Sequence, residues 1–291
     1  MEEMSRFGVL VFFVIFSVFL SVKIGHTASR TFSEIRKSGE LRICYTPWMG
    51  TDTKKDFPSP FLETAVEFSK NLALKPVTKT IQWNEQFYNE KGQTVRDIAY
   101  MPALFEHGVC DLYANALSKD PWRERLMIFN WIYLGRNVVV VHRKNNNQFR
   151  SVRDLAGKKT AVVPNTVYHR LLEGYNREHV ENPVQMNFME KGGSLSVLLK
   201  EEVDFIVMDS TMALYAKFHL HHPVEIAFPI GSPDPAGWSF PKNSAELAKR
   251  SIKYFSEESM KQNSAVNQIF RKYFGVSLSE LNSIQSLITS E

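Results

Sequence analysis

The sequence has little that points directly to catalysis. Among its 291 residues only two are cysteines, Cys44 and Cys110, and they lack the CxxC spacing of redox and metal sites. There is no GxSxG, no HExxH, no P-loop and no GxGxxG after a predicted strand. These absences exclude the common signatures of serine hydrolases, zinc proteases and nucleotide-binding enzymes, so we expect neither a catalytic residue nor a bound cofactor or metal.

An excess of charge of one sign is also missing. The chain carries 35 lysines and arginines against 31 aspartates and glutamates, a net charge of +4, and the two signs are interleaved along the sequence. It has no basic stripe of the kind that binds nucleic acid, so we expect no nucleic-acid partner. With 44% hydrophobic and 23% charged residues, the composition is that of a globular protein.

Long apolar runs are absent from the sequence except at its start, over residues 7–22. This run of roughly 16 residues is shorter than the ~20 that a membrane-spanning helix needs. Small and polar residues follow it, which is typical of a secretory signal peptide over residues 1–28, cleaved near Ala28. A start at Met4 gives a better signal because two glutamates precede it. We expect an exported, periplasmic protein, with an uncleaved N-terminal anchor as the alternative.

The two cysteines of an exported protein can pair, because the compartment is oxidising. Both lie in segments that predict strands, LRICY (41–45) and VCDLY (109–113). This placement favours two buried, unpaired thiols, and a disulfide is the alternative.

Predicted strands and helices alternate along the rest of the chain, which indicates an α/β fold with a parallel sheet. In such folds ligands bind at the carboxyl ends of strands and at helix N-termini. The strands are predicted over 41–45, 77–83, 109–117, 137–143, 159–163, 203–209, 224–228 and 237–240. The helices are predicted over 31–38, 61–74, 98–107, 165–175, 195–201, 212–218, 244–256 and 261–274.

Three residues at predicted strand ends are candidates for binding a small polar ligand. Arg123 follows the strand over 109–117, where its guanidinium can hold a carboxylate through two parallel hydrogen bonds; a surface arginine in a charged turn is the alternative. Asp209 ends the strand over 203–209 and can meet an ammonium group or cap the following helix. Thr166 can help bind an anion at a helix N-terminus or act as an ordinary cap.

Aromatic and histidine side chains leave further alternatives open. Tyr45 and Trp48 can stack on a ligand or belong to the core. His219, His221 and His222 form a local cluster, but the sequence offers no clear third and fourth ligand of the kind that a metal site needs. We interpret the three histidines as part of a solvated loop.

Six segments of the chain follow one another in a recognisable order. The most specific is SVRDLAGKKTAVVPNT (151–166), and the others are GELRICYTP (39–47), GVCDLYANAL (108–117), WRERLMIFNWIYL (122–134), EEVDFIVMDS (201–210) and RKYFG (271–275). Together they resemble the extracellular solute-binding proteins of family 3, which bind amino acids and similar small polar solutes. The resemblance covers residues 31–275.

This resemblance implies the type II periplasmic-binding fold, in which two α/β lobes close on a ligand around a two-strand hinge. It implies lobe 1 at residues 29–137 plus 236–291 and lobe 2 at 138–235. The hinge crossings are expected near 135–143 and 232–240.

The resemblance also implies a role for each candidate residue. Arg123 matches the position that binds a ligand carboxylate, and Asp209 matches the position that binds its α-ammonium group. The remaining implied contacts are hydrogen bonds from Asn115 and Ser118, an anion-binding turn at Thr166, and aromatic packing by Tyr45 and Trp48.

The implied function is non-catalytic capture of an amino acid or related solute by a monomer, for delivery to the membrane permease of an ABC transporter or to a receptor. Departures from the family pattern leave alternatives open. Asp120 stands where the family usually has threonine and can pair with Arg123, and Asn165 replaces a glycine. Asp120 and the altered segment PSPFLETAV (58–66) favour the alternative of an orphan sensor or accessory protein with a divergent pocket. A dehydratase on the same fold would have only Glu63 and Asp120 as candidate acids.

Overall fold

The protein is built around one mixed eight-stranded sheet. The computed structural model describes residues 28–47, 59–81, 102–118, 121–164, 166–189 and 193–287. The strands are β1 (Glu40–Tyr45), β2 (Lys75–Thr80), β3 (Leu112–Ser118), β4 (Met127–His142), β5 (Lys159–Val162), β6 (Gln185–Phe188), β7 (Phe205–Asp209) and β8 (Val224–Pro241). Across the sheet they lie in the order β2-β1-β3-β8-β4-β7-β5-β6.

Helices connect and cover these strands. They are α1 (Phe32–Ser38), α2 (Pro60–Asn71), α3 (Ala103–Glu106), α4 (Pro121–Leu126), α5 (Val167–Glu178), α6 (Ser194–Leu199), α7 (Ser210–Phe218), α8 (Ala245–Met260), α9 (Ala265–Phe274) and α10 (Leu278–Leu287). α1 begins at the capping box of Thr31 and Glu34 and ends at Gly39, whose φ of 70° is left-handed. In the described part of the chain, no helix has both the length and the apolar character needed to cross a membrane.

Two strands are far longer than the others and run side by side through the centre of the sheet. β4 has 16 residues and β8 has 18, and they pair antiparallel from Met127 with Pro241 to His142 with Val224. The strands predicted separately over 224–228 and 237–240 are therefore one continuous strand. Three register shifts along the pair let it bend without breaking.

Buried apolar side chains form clusters on both halves of the sheet. In the first half they come from β1, β3, the start of β4, the end of β8 and the C-terminal helices, with Trp238 and Phe270 fully buried. In the second half they surround the valines of 138–141 together with β5 and β7. The valine run has no polar alternation because this part of the sheet is covered on both faces, as its sequence predicts.

Cys44 and Cys110 form a disulfide, with their Cα atoms 5.7 Å apart. The interpretation as two unpaired thiols is therefore wrong. β1 and β3 are neighbouring parallel strands, and Cys110 lies just before β3, where the chain passes the end of β1. Both cysteines are completely buried in the cluster that contains Phe105 and Tyr113. The sequence did not fix this register, so it could not bring the two sulfur atoms together.

A buried ion pair attaches the residues that follow the predicted cleavage point. Arg30 Nε donates to Asp111 Oδ1 at 2.9 Å, and a second guanidinium nitrogen pairs with Oδ2. Oδ2 also accepts from the backbone N–H of Arg42 at 2.7 Å. Asp111 is completely buried, and a buried carboxylate is tolerated only when it is paired and hydrogen-bonded in this way.

α7, from the second half of the sheet, packs against α9, from the first half. Tyr215 stacks on Tyr273 with ring centroids 5.9 Å apart, and the His219 ring lies 4.7 Å from that of Tyr273. His219 therefore belongs to a helix contact and not to a solvated loop, which corrects the sequence-based interpretation. His221 is exposed, and burial lowers the pKa of the half-buried His222. Within the described ranges, no group of three His, Cys, Asp or Glu side chains is placed to hold a metal ion.

Some elements carry no clear sequence signal. β6 is an exposed edge strand and α10 follows the two C-terminal helices that were expected, and neither was predicted. The first half of β4 was missed as well. Of the helix predicted over 98–107, only Ala103–Glu106 is helical among the described residues, and positions 98–101 lie outside them.

Replacing both cysteines by alanine is expected to lower the free energy of unfolding by about 4 kcal/mol, because the disulfide closes a loop with a sequence separation of 66. Urea unfolding followed by circular dichroism measures the difference. As a control, reduction with dithiothreitol should destabilise the wild-type protein and leave the Cys44→Ala/Cys110→Ala variant unchanged. An unfolding midpoint of the wild-type protein that does not move when both thiols have been reduced would contradict the prediction.

Candidate functional site

The carboxyl ends of the strands in the two halves of the sheet point toward each other. β3 is antiparallel to β8, β8 to β4, and β4 to β7, so β3 and β7 run in opposite directions. Ser118 at the end of β3 pairs with Ala236, and Asp209 at the end of β7 pairs with Asn137. Both ends therefore reach the middle of the β4–β8 pair, near Gly135. Because ligands of α/β sheets bind at carboxyl ends of strands, this meeting point is the candidate site.

Asn115 links the ends of β1 and β3. Its Oδ1 accepts from the backbone N–H of Thr46 at 2.8 Å, and only 3% of the residue is exposed. Tyr45 ends β1 half-buried, and its hydroxyl accepts from Thr80 Oγ1 at 3.0 Å. Asn115 thus holds the backbone that leaves β1, and Tyr45 lies at the same edge of the sheet.

Arg123 is folded back onto the end of β3. Its Nη1 donates to the backbone carbonyl of Ser118 at 2.9 Å and to the Ser118 hydroxyl at 3.3 Å. α4 begins just after β3, which turns the arginine back toward the strand end. The guanidinium therefore lies at the carboxyl edge of the first half of the sheet, where Nη1 holds it against Ser118.

Thr166 acts as the N-cap of α5 at the carboxyl end of β5. Its Oγ1 accepts from the backbone N–H of His169 at 3.2 Å and donates to the carbonyl of Val163 at 2.8 Å. The hydroxyl is therefore engaged by the cap, which is the alternative that the sequence offered beside anion binding.

Asp209 is held by several hydrogen bonds. Its Oδ1 accepts from the backbone N–H of Thr211 at 2.8 Å and from the Thr211 hydroxyl, which makes it the N-cap of α7. Its own backbone N–H donates to the hydroxyl of Tyr168 at 3.2 Å. Burial raises the pKa of Asp209, the bonds from Thr211 oppose this, and the charge of Asp234 raises the pKa further.

Gly135 determines how closely Asp209 approaches the hinge strands. A Cβ atom on Gly135 would lie 2.8 Å from the backbone oxygen of Asp234 and 3.3 Å from Oδ2 of Asp209. The first distance is too short for any side chain unless the β4–β8 pair shifts. Asp209 therefore uses Oδ1 for the helix cap, while Oδ2 lies at the middle of the pair, so capping and ligand binding are compatible.

Proteins of similar sequence include binding proteins. The chain is 27% identical over 256 residues to the L-cystine-binding protein TcyA of Bacillus subtilis, a match that covers 85% of this chain and 86% of TcyA. It is 25% identical over 179 residues to the putative amino-acid ABC transporter-binding protein PatH of Vibrio harveyi, over 61% of this chain and 70% of PatH. No protein-family model matches the sequence.

A third relative is an enzyme of greater length. The membrane-bound lytic murein transglycosylase F of Desulfosudis oleivorans is 23% identical over 222 residues. The match covers 76% of this chain but only 45% of the transglycosylase, so more than half of that enzyme has no counterpart in the match.

Solved structures share the fold. An ancestral arginine-binding protein bound to arginine superposes with a TM-score of 0.58 at 22% identity, over 81% of this chain and 99% of its own. An ancestral amino acid-binding protein described as a precursor of cyclohexadienyl dehydratase gives 0.60 at 18% identity, over 83% and 98%. The binding proteins among these relatives and the solved structures agree with the resemblance to extracellular solute-binding protein family 3. The two-lobed type II fold and the function of a substrate-binding protein, both predicted from the sequence, are confirmed.

Other positions predicted for this solute-binding protein either lie outside the described residues or make their contacts elsewhere. Trp48, Asp120 and Asn165 lie outside the described residues. Glu63 lies on α2, where its carboxylate accepts from Lys272 Nζ at 2.8 Å and from the hydroxyl of Tyr273. These contacts tie Glu63 to α9.

The residues that support Asp209 were missed by sequence reasoning. Tyr133 and Tyr168 lie far from Asp209 along the chain, in segments without a periodic polar signal. Thr211 had one available signal, because a hydroxyl residue two positions after a candidate N-cap can hydrogen-bond to it. Gly135 lies within a strand, and the sequence around it gives no indication that it adjoins Asp209.

Asp209→Asn is expected to change the pH dependence of the stability of this solute-binding protein. Asparagine caps helices about as well as aspartate, so α7 should persist. The pKa of Asp209 is raised in the folded state, so this carboxyl favours folding most at low pH. That contribution is lost as the pH rises from below the unfolded value of about 3.9 through the folded pKa. The variant should therefore become more stable relative to wild type between about pH 3.5 and pH 7.

Urea unfolding at several pH values measures this effect, and Asp154→Asn is the matched control. Backbone hydrogen bonds from Arg150 and Ser151 lower the pKa of Asp154, so the control should show the opposite trend. Equal trends for the two variants would contradict the assignment of a raised pKa to Asp209.

Proposed function

We propose that this protein captures a free amino acid between two lobes, residues 29–137 plus 236–291 and residues 138–235, and hands it to a membrane permease. The main support for this proposal is that the carboxyl ends of β3 and β7 meet at the same point on the β4–β8 pair from opposite directions. A ligand at that point touches both lobes, and its affinity is therefore coupled to their closure.

Arg123 is proposed to bind the ligand carboxylate. Its two hydrogen bonds from Nη1 to Ser118 hold the guanidinium at the end of β3, and a planar fork of donors matches a carboxylate. Asn115 and Tyr45 lie at the same edge and are proposed to complete the lobe 1 side, together with Trp48.

Asp209 is proposed to bind the ligand ammonium. A buried carboxylate gains most from a positive partner, because burial raises its pKa by disfavouring the charged form. Its Oδ2 lies toward the strand pair at Gly135, where a ligand between the lobes would be. The helix N-terminus at Thr166, in lobe 2, is proposed as a second anion-binding element in addition to Arg123 of lobe 1.

Export, delivery and monomeric state belong to the same proposal. The names of TcyA and PatH describe binding proteins, one of them for an amino-acid ABC transporter, which supports a permease as partner. The apolar run over 7–22 supports export to the periplasm. The proposal includes no covalent step, and the ion pair of Glu63 with Lys272 supports leaving that acid out of any reaction.

Isothermal titration with L-arginine, L-glutamine and L-cystine tests the proposal. We expect one of them to bind, and at a hundred times its dissociation constant to stabilise the protein by about 2.7 kcal/mol in thermal unfolding. Arg123→Ala should weaken binding by at least about 30-fold, since truncating one member of a hydrogen-bonded charge pair typically costs 2–5 kcal/mol.

Arg123→Lys separates charge from geometry, because lysine keeps the charge but cannot form the bidentate pair. It should bind the ligand with an affinity between those of wild type and Arg123→Ala. Equal affinity of all three proteins would exclude Arg123 as the carboxylate-binding residue.

A further inference from the structure

A chain of hydrogen bonds joins the first half of β4 to Asp209. The hydroxyl of Tyr133 lies 3.1 Å from Thr211 Oγ1, and Thr211 Oγ1 donates to Asp209 Oδ1. Tyr133 belongs to the proposed lobe 1 and Thr211 to lobe 2, so the chain crosses the boundary between them. Tyr133 and Thr211 are buried, and Asp209 is partly buried.

The direction of these bonds follows from the groups involved. An ionised carboxylate can only accept, and a threonine hydroxyl has a single hydrogen, which goes to Asp209. Thr211 must therefore accept from Tyr133, and the tyrosine hydroxyl is the donor at the start of the chain. Such a series of hydroxyl donors polarises the bond that reaches the carboxylate.

The position of the Tyr133 hydroxyl is fixed by the core of lobe 1. The residue is only 3% exposed, and its ring stacks on that of Phe61 with centroids 6.0 Å apart. Phe61 in turn contacts the ring of Phe270 on α9. Tyr133 also lies two residues before Gly135, at the point where β4 passes from one lobe to the other.

We propose that Tyr133 is a positioning residue for ligand binding: through Thr211 it fixes the Asp209 carboxylate so that Oδ2 faces the ligand ammonium between the lobes. The proposal rests on the proposed function, because it takes Asp209 as the ammonium-binding group. Tyr133 touches no ligand in it and acts only through Thr211. The core of lobe 1 then sets the orientation of a binding group in lobe 2.

Tyr133→Phe tests this directly, because it removes the hydroxyl and keeps the ring on Phe61. We expect the affinity for the amino acid identified above to fall about three- to tenfold, the typical effect of one neutral hydrogen bond. Thr211→Val, which removes the bond to the carboxylate itself, should cost about 10- to 100-fold. Thr211→Ser should restore most of that loss.

Tyr254→Phe is the matched control. It removes a hydroxyl from another tyrosine of the same core, which is 6% exposed and packs on Phe68, and it should leave the affinity unchanged. A general loosening of the core would instead weaken binding in both tyrosine variants and would overturn the proposal.

A second measurement needs no ligand. The titration of Asp209, followed by carbon-13 NMR of labelled aspartate and assigned with Asp209→Asn, should move to higher pH in Thr211→Val, and less so in Tyr133→Phe. The sign follows because the Thr211 bonds lower the pKa of Asp209 in the folded protein. This titration tests whether Tyr133 acts on the Asp209 carboxylate through Thr211, even when none of the three amino acids binds.

The outcomes separate the two proposals. If Asp209→Ala binds like wild type, the proposed function fails, and the role of Tyr133 in binding fails with it. If Asp209→Ala loses binding while Tyr133→Phe matches wild type in both affinity and the titration of Asp209, only the positioning role is overturned.

Discussion

The antiparallel pairing of β4 and β8 is the constraint on which the rest of the molecule depends. β3 pairs antiparallel with β8 and β7 pairs antiparallel with β4, so the carboxyl ends of β3 and β7 face each other at the middle of the β4–β8 pair. The pairing also limits which residues the middle can hold. A Cβ atom on Gly237 would lie 1.6 Å from the backbone oxygen of Asn130, and one on Gly135 would lie 2.8 Å from that of Asp234. Two glycines thus keep the two strands close together beside the candidate site.

Opposing effects act on the carboxylate of Asp209, the proposed ammonium-binding group. Burial and the charge of Asp234 both disfavour its ionised form, while two bonds from Thr211 favour it. The cap of α7 therefore does more than begin a helix, because it keeps a carboxylate ionisable in a place where water is scarce. In the proposed function, a ligand ammonium at Oδ2 would stabilise the ionised carboxylate further, which links the affinity for a cationic group to the electrostatics around Asp209.

The parts that could be predicted from the sequence are those that local pattern decides. Apolar runs located most of the strands, and the rule that ligands bind at strand ends singled out Arg123 and Asp209. What could not be predicted depends on which strands become neighbours. The Cys44–Cys110 disulfide needs the β1–β3 register, and the contact of Tyr133 with Thr211 joins residues 78 positions apart. β6 left little signal because it is an edge strand of four residues, of which only Met186 packs against the core.

α7 connects the site with the contact between the lobes. It begins at Asp209, reaches Tyr133 through Thr211 in its first turn, and near its other end packs Phe218 against Gly275, where a Cβ atom would lie 2.8 Å from the ring. A helix that touches the opposite lobe along its length cannot swing freely when the lobes rotate. Rotation about β4 and β8 is compatible with these contacts only if α7 lies close to the axis of motion. If Asp209 binds the ligand ammonium as proposed, its place at the start of such a helix would hold that end of the site in position before the lobes close.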